Sequence, residues 1–193
     1  TLSQTRSLAG VSADVIISCG KTSFREAMLF THLGLSGPAI LQISSYWKHG
    51  DKITINFAPE IDFFKKLQEE KQLKPKQEVK TILTSFLSKS LANYLSEQIN
   101  HPGNLSDLSN KKLKEIADFI NSWTIIPSGT EGFAKAEVTI GGVDTNEISS
   151  KTFEAKSIPG LFIIGEAIDV TGWLGGFNFQ WAWASGKAAG EVS

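Results

Sequence analysis

The sequence predicts an α+β protein: a small β-sheet or barrel carrying a helical subdomain, followed by a C-terminal strand and helix. Three observations predict it. From Lys52 to Phe57 apolar and polar residues alternate, so that Ile53, Ile55 and Phe57 share one face at the two-residue period of a strand. From Glu60 to Asn121 the period turns helical, with Val79, Ile82, Leu83, Phe86, Leu87, Leu91, Leu95 and Ile99 three or four residues apart. Near the C-terminus the apolar run Leu161 to Ile164 is introduced by Pro159-Gly160 and stopped by Gly165, the pattern of a short strand buried on both faces of a parallel sheet.

In chain order, Asp14 to Ser18 predicts a strand ending at Gly20, and Phe24 to Phe30 a second, with Phe24, Met28 and Phe30 on one face. Pro38 suits the first turn of a helix through about Trp47, because its missing N–H would have no intrahelical partner there. A short helix around Phe63, Phe64 and Leu67 runs into Pro75. The apolar stripe from Val79 to Ile99 is one helix, or two if it breaks near Ser88, and His101-Pro102-Gly103-Asn104 ends it. Leu113, Ile116, Ala117 and Ile120 give another helix. Trp123 to Ile126 and Phe133 to Thr139 return to strand-like composition. At 193 residues and 41% hydrophobic the chain forms one large domain or two small ones, here read as 1–126 (a β part over about 8–58, a helical part over about 60–122) and 127–193.

The C-terminal stretch concentrates the candidate chemistry. Small molecules bind beyond the carboxyl ends of strands in open α/β sheets, and that edge here carries Glu166 and Asp169, acids suited to hydroxyls and not to phosphates. Gly175-Gly176 would let the backbone approach a flat ligand. A helix over Asn178 to Gly190 follows, its first free N–H groups, near Asn178, Phe179 and Gln180, aimed at whatever lies there. Ala182, Gly186, Ala189 and Gly190 form a stripe of small residues that would let the helix lie close on a sheet. Trp173, Trp181 and Trp183 are either core or a flat-ligand wall.

Three motifs in order, Leu29 to Leu41, Glu137 to Val143 and Gly165 to Gln180, give the span from about residue 8 to 190 a resemblance to bacterial NAD(FAD)-utilising dehydrogenases, the aminoacetone-oxidase-like flavoproteins, some of which reduce carbon–carbon double bonds in bile acids. The resemblance implies an inserted domain plus the last strand and helix of a Rossmann-like FAD-binding domain. It further implies FAD as cofactor, NAD(P)H as electron donor and a small-molecule substrate. Carried over residue by residue, the flavin contacts would be Thr139, Gly141, Gly142, Val143, Gly165, Glu166, Asp169, Gly175, Gly176, Phe177, Asn178, Phe179 and Gln180. Thr31 and His32, in the glycine-rich loop to Gly37, would place or protonate substrate, with His32 as a hydrogen-bonded structural histidine the other reading. Family members open with a strand, a Gly-x-Gly-x-x-Gly turn and a helix for the FAD pyrophosphate. This chain contains no such pattern and starts at Thr1, so an N-terminal FAD-binding segment is expected as its partner.

Composition narrows the remaining classes. A net charge of −1 draws in neither nucleic acid nor an anionic membrane, and it argues against an RNA-modifying flavoprotein. The lysines of 71–76 and Lys111, Lys112 and Lys114 read as solvated helix ends. Cys19, the single cysteine, reads as a buried thiol in a reducing cytoplasm. No ligand spacing for a metal and no Gly-x-Ser-x-Gly elbow are present. The alternative to an enzyme portion is a protein-binding or assembly module built on residues 8–126.

Overall fold

A computed structural model describes residues 5–101 and 103–192, so Pro102 of the expected helix stop lies outside the described residues. The chain divides into two compact units, Thr1–Ser128 and Gly129–Ser193.

The first unit is built on a five-stranded antiparallel sheet, curled into a half-barrel, in the order β3-β2-β1-β4-β5. Strands β1 (Ser12–Cys19) and β2 (Thr22–Thr31) form a hairpin in register from Ser12 opposite Leu29 to Cys19 opposite Thr22. Strand β3 (Gly34–Ser36) folds back on β2, β4 (Ile53–Asn56) pairs with the far side of β1, and β5 (Trp123–Ile125) closes onto β4. The alternation read from the sequence holds, since Ile53, Ile55 and Phe57 are all buried, as are Phe24, Met28 and Phe30. Helix α1 (Pro38–Ser44) lies across β1 and β2 and stops short of the expected Trp47. The cause is Asp51: its carboxylate accepts the Lys48 N–H at 3.0 Å and its carbonyl accepts the Trp47 indole N–H at 2.9 Å, folding 47–51 into a loop.

Four helices make the lobe that packs on this sheet: α2 (Phe63–Leu73), α3 (Val79–Leu83), α4 (Lys89–Ile99) and α5 (Asn110–Asn121). Asp62, Ser88 and Ser109 each cap a helix by accepting a backbone N–H three residues on, which is why the long stripe divides at Ser88. Helix α4 ends at Asn100 in the left-handed region. Phe63, Leu67, Ile82, Leu83, Leu91, Leu95, Leu113 and Ile120 join the inner face of the sheet in one continuous core. Asn121 ties lobe to sheet: its amide donates to Asn56 Oδ1, Ala58 O and Ile61 O at 2.9, 3.2 and 3.1 Å, and its oxygen accepts the Phe63 N–H at 3.1 Å.

The second unit has a small core of Ile148, Ala155 and Ile168, with Val143, Phe153, Ile163, Val170 and Trp181 packed on it. Its one long element is α6 (Phe177–Gly190). Two expected strands are corrected here. Leu161 to Ile164 is extended but makes only an isolated bridge, Phe162 to Glu154, and Leu161 and Ile164 are exposed. A strand needs a continuous hydrogen-bonded ladder with at least one neighbour, and this unit offers isolated bridges alone among its described residues. Phe133 to Thr139 is likewise no strand, holding a single 3-10 turn at Gly132–Ala134 with Phe133 exposed.

Candidate functional site

Two loops of the second unit meet along a short parallel contact. The Val143 N–H donates to Ala167 O at 2.8 Å and the Asp169 N–H to Val143 O at 2.9 Å. Gly142 makes this possible: a Cβ at that position would lie 2.6 Å from Ala167 O and 2.8 Å from Asp169 N. Gly142 is therefore a packing glycine whose role is close backbone approach. Asp169 joins in, its carboxylate accepting the Gly141 N–H at 2.9 Å, while Thr171 Oγ1 donates to Thr139 O at 3.5 Å. Thr139, Gly141, Gly142 and Val143 thus lie beside Asp169 as one ledge.

The helix is locked to the end of this ledge. Gly165 donates its N–H to Ser185 Oγ at 3.0 Å and accepts the Trp181 indole N–H at 3.0 Å. A Cβ on Gly165 would sit 3.6 Å from the Ala182 methyl, and one on Gly186 would sit 3.4 Å from Ile164 Cδ1. The small-residue stripe does bring the helix close, though the surface it meets is the 164–165 segment. Ser185, fully buried at the centre of this contact, and the anchoring role of Trp181 were not read from the sequence; a serine one turn beyond a tryptophan on the small-residue face was the available signal. Trp173 and Trp183 are exposed.

At the other end of the ledge, Asn178 clamps the approaching loop, accepting the Gly172 N–H at 2.7 Å and donating back to Gly172 O at 3.1 Å. Gly176 is the N-cap of α6 in the left-handed region, φ 88°, with nothing within 4 Å of the place a Cβ would occupy. A side chain there would be strained and would fill open space next to the first-turn N–H groups. Glu166 is exposed and makes no hydrogen bond among the described residues; Phe177, Phe179 and Ile140 are exposed apolar surface. Open space beside Gly176, an unengaged carboxylate at Glu166 and bare aromatic faces fit a ligand with a flat ring and a polyol chain.

The two catalytic candidates lie in the first unit, at the turn between β2 and β3. Thr31 Oγ1 accepts the N–H groups of Leu33 and Gly34 at 3.2 and 3.1 Å, which shapes the turn and presents His32 and Leu33 to solvent. Among the described residues no group of His, Cys, Asp and Glu could hold a metal ion, and no helix is long and apolar enough to cross a membrane.

Comparison with known proteins gives this geometry a context. The chain is 46% identical over 98% of its length to the ribosomal RNA dihydrouridine synthase of Escherichia coli (strain K12), covering 48% of that protein. The Haemophilus influenzae (strain ATCC 51907 / DSM 11121 / KW20 / Rd) protein of the same name is 48% identical over 94% of the chain and 46% of its own length. The 3-dehydro-bile acid delta(4,6)-reductase of Clostridium scindens (strain ATCC 35704 / DSM 5676 / VPI 13733 / 19) is 30% identical over 96% of the chain and 49% of its own length. The chain spans about half the length of these relatives, all named as enzymes. Residues 1–138 match the profile of the HI0933-like protein barrel and H2TH domain, and the chain belongs to that family.

Proposed function

We propose that this chain forms the ring-side and ribityl-side half of an FAD-dependent oxidoreductase that saturates a carbon–carbon double bond, and that its substrate is a uracil of ribosomal RNA. The observation that carries this reading is the ledge of 139–143 and 165–180, with its open glycine at a helix N-terminus, in a chain 46% identical to a protein named for dihydrouridine synthesis. FAD, when bound, would supply the hydride, with NAD(P)H as its electron source and a segment outside this chain holding its pyrophosphate.

The residues of this chain bind and orient. Glu166, exposed and without a hydrogen bond among the described residues, would hold the ribityl hydroxyls. Asp169, which holds the Gly141 N–H, would fix the loop of Thr139, Gly142 and Val143 beside the ring, while Gly165, bonded to Trp181 and Ser185, fixes the middle of α6. Gly175, Gly176, Phe177 and Phe179 would give the ring a surface, and the first turn of α6, with Asn178 and Gln180, would stabilise negative charge on it through the positive helix end. Adding two hydrogens across a double bond conjugated to a carbonyl needs a proton beside the hydride, and His32, presented by Thr31, is the proposed donor.

The RNA substrate departs from the sequence-based expectation of a small molecule and no nucleic acid. Support for it comes from the relatives at 46% and 48% identity, both named ribosomal RNA dihydrouridine synthase, against 30% for the bile-acid enzyme. The near-neutral total also conceals an asymmetry: residues 1–128 hold 15 Lys and Arg against 12 Asp and Glu, residues 129–193 hold 4 against 8. In the longer protein that contains this chain, Glu166→Ala should lower FAD retention on the order of tenfold to a hundredfold, the effect of losing a charge-assisted hydrogen bond. Unchanged visible absorbance per polypeptide would sink the assignment.

A further inference from the structure

The curled sheet carries, at the turn between β1 and β2, a feature that the flavin ledge does not use. Gly20 and Cys19 of that turn line a cleft of about 310 Å³ with Tyr46, Asp51 and Lys52 of the loop that follows α1. Tyr46 is 42% exposed, with its ring supported from behind by Phe24 at 5.7 Å between centroids. Next to it, the Trp47 ring is held by its indole hydrogen bond to Asp51 O and lies 6.2 Å from the His49 ring. Lys52 lines the cleft, and Lys21 and Lys48 follow Gly20 and Trp47 directly in the chain; all three are exposed and none makes an ion pair among the described residues. The cleft also holds one carboxylate, Asp51, which accepts the Lys48 N–H and keeps its charge. A rigid exposed aromatic ring, a cleft beside it and unpaired ammonium groups around it are what a single-stranded nucleic acid requires: a face on which a base stacks, and cations for the flanking phosphates.

We propose that this cleft binds single-stranded RNA, with a base stacked on Tyr46 and the adjoining phosphates on Lys21, Lys48 and Lys52. The proposal rests on the reading of RNA as substrate and gives that substrate a contact surface on the first unit. It also gives a use to the exposed ring of Tyr46, beside a Trp47 that is half-buried against the core.

The test is the binding of a labelled uridine-rich single-stranded RNA to this chain, followed by fluorescence anisotropy over a series of salt concentrations. Each neutralised phosphate of a single strand contributes about 0.7 to the slope of log affinity against log salt, so replacing Lys21, Lys48 and Lys52 by alanine should flatten it by about 2. Tyr46→Ala should weaken binding about tenfold at an unchanged slope, and Tyr46→Phe, which keeps the ring, should not. Lys89→Ala with Lys111→Ala, lysines elsewhere on the unit, should leave both quantities as they were. Circular dichroism melting of every variant separates lost contacts from lost fold. The proposal is overturned by a wild-type chain that does not bind, by an unchanged slope in the triple variant, or by binding of heparin and RNA alike with no dependence on Tyr46. FAD retention and uracil reduction are measured separately in the longer protein, so a failed surface leaves the flavin reading intact and a failed flavin reading leaves RNA binding to be seen.

Discussion

Gly142→Ala is the substitution with the most to say about the ledge. The added methyl would stand 2.6 Å from Ala167 O and 2.8 Å from both Ile168 C and Asp169 N, nearer than a carbon approaches backbone atoms in folded proteins, and all three neighbours are main chain with nowhere to rotate. The two loops must therefore part. At risk are the bridge hydrogen bonds of 2.8 and 2.9 Å and, beside them, the 2.9 Å bond from Gly141 to the Asp169 carboxylate. At about 1 kcal/mol net for each bond, the expected cost is about 2 to 3 kcal/mol. That is a large fraction of what a unit with so small a core can hold. Native-state hydrogen exchange reads it directly: protection of the Val143 and Asp169 amides should fall about 30- to 150-fold. The amides of Ile17 and Ile55, in the sheet of the first unit, should keep theirs. Equal protection at Val143 and Asp169 in wild type and variant would refute the reasoning, as would an equal loss in both units.

Two further predictions concern the first unit. Asn121→Ala removes four hydrogen bonds that join α5 to the end of β4 and the start of α2, and should lower unfolding stability by about 2 to 4 kcal/mol in urea titration; a loss within measurement error would contradict the tie. The Lys66 ammonium hydrogen-bonds Glu70 and holds its carboxyl below the usual carboxylate range, against the opposing effect of burial. A carboxyl lowered in the folded state stabilises above its unfolded value of about 4.3 and loses that contribution as pH falls through the folded value. Lys66→Met should therefore reduce stability at neutral pH and flatten the acid limb of the stability profile; superimposable profiles would show the pair to be inert.

How much of this was legible in the sequence follows from which interactions are local. Alternation over 52–57 and the spacing of Leu113, Ile116 and Ile120 fix faces through a period alone, and those faces are buried as read. Ser88 divides the long stripe through its own side chain, a local device that the sequence shows as a possible break. The run Leu161 to Ile164 misleads because four apolar residues specify extended backbone but not a pairing partner. The end of α1 depends on Asp51, reaching back from beyond the helix, which no periodicity contains. In the ledge, Gly142 faces the 167–169 backbone and Asn178 faces Gly172, contacts made across loops that no local period contains.

The most direct measurement is made on the longer protein containing this chain, reduced anaerobically with NAD(P)H and then mixed with a ribosomal RNA fragment. The account predicts that the visible absorbance of the oxidised cofactor returns in step with loss of uracil ultraviolet absorbance, one for one, and that Glu166→Ala lowers both in proportion to the FAD it fails to retain. A protein that carries no flavin, or whose absorbance returns equally with an RNA lacking uridine, would contradict it.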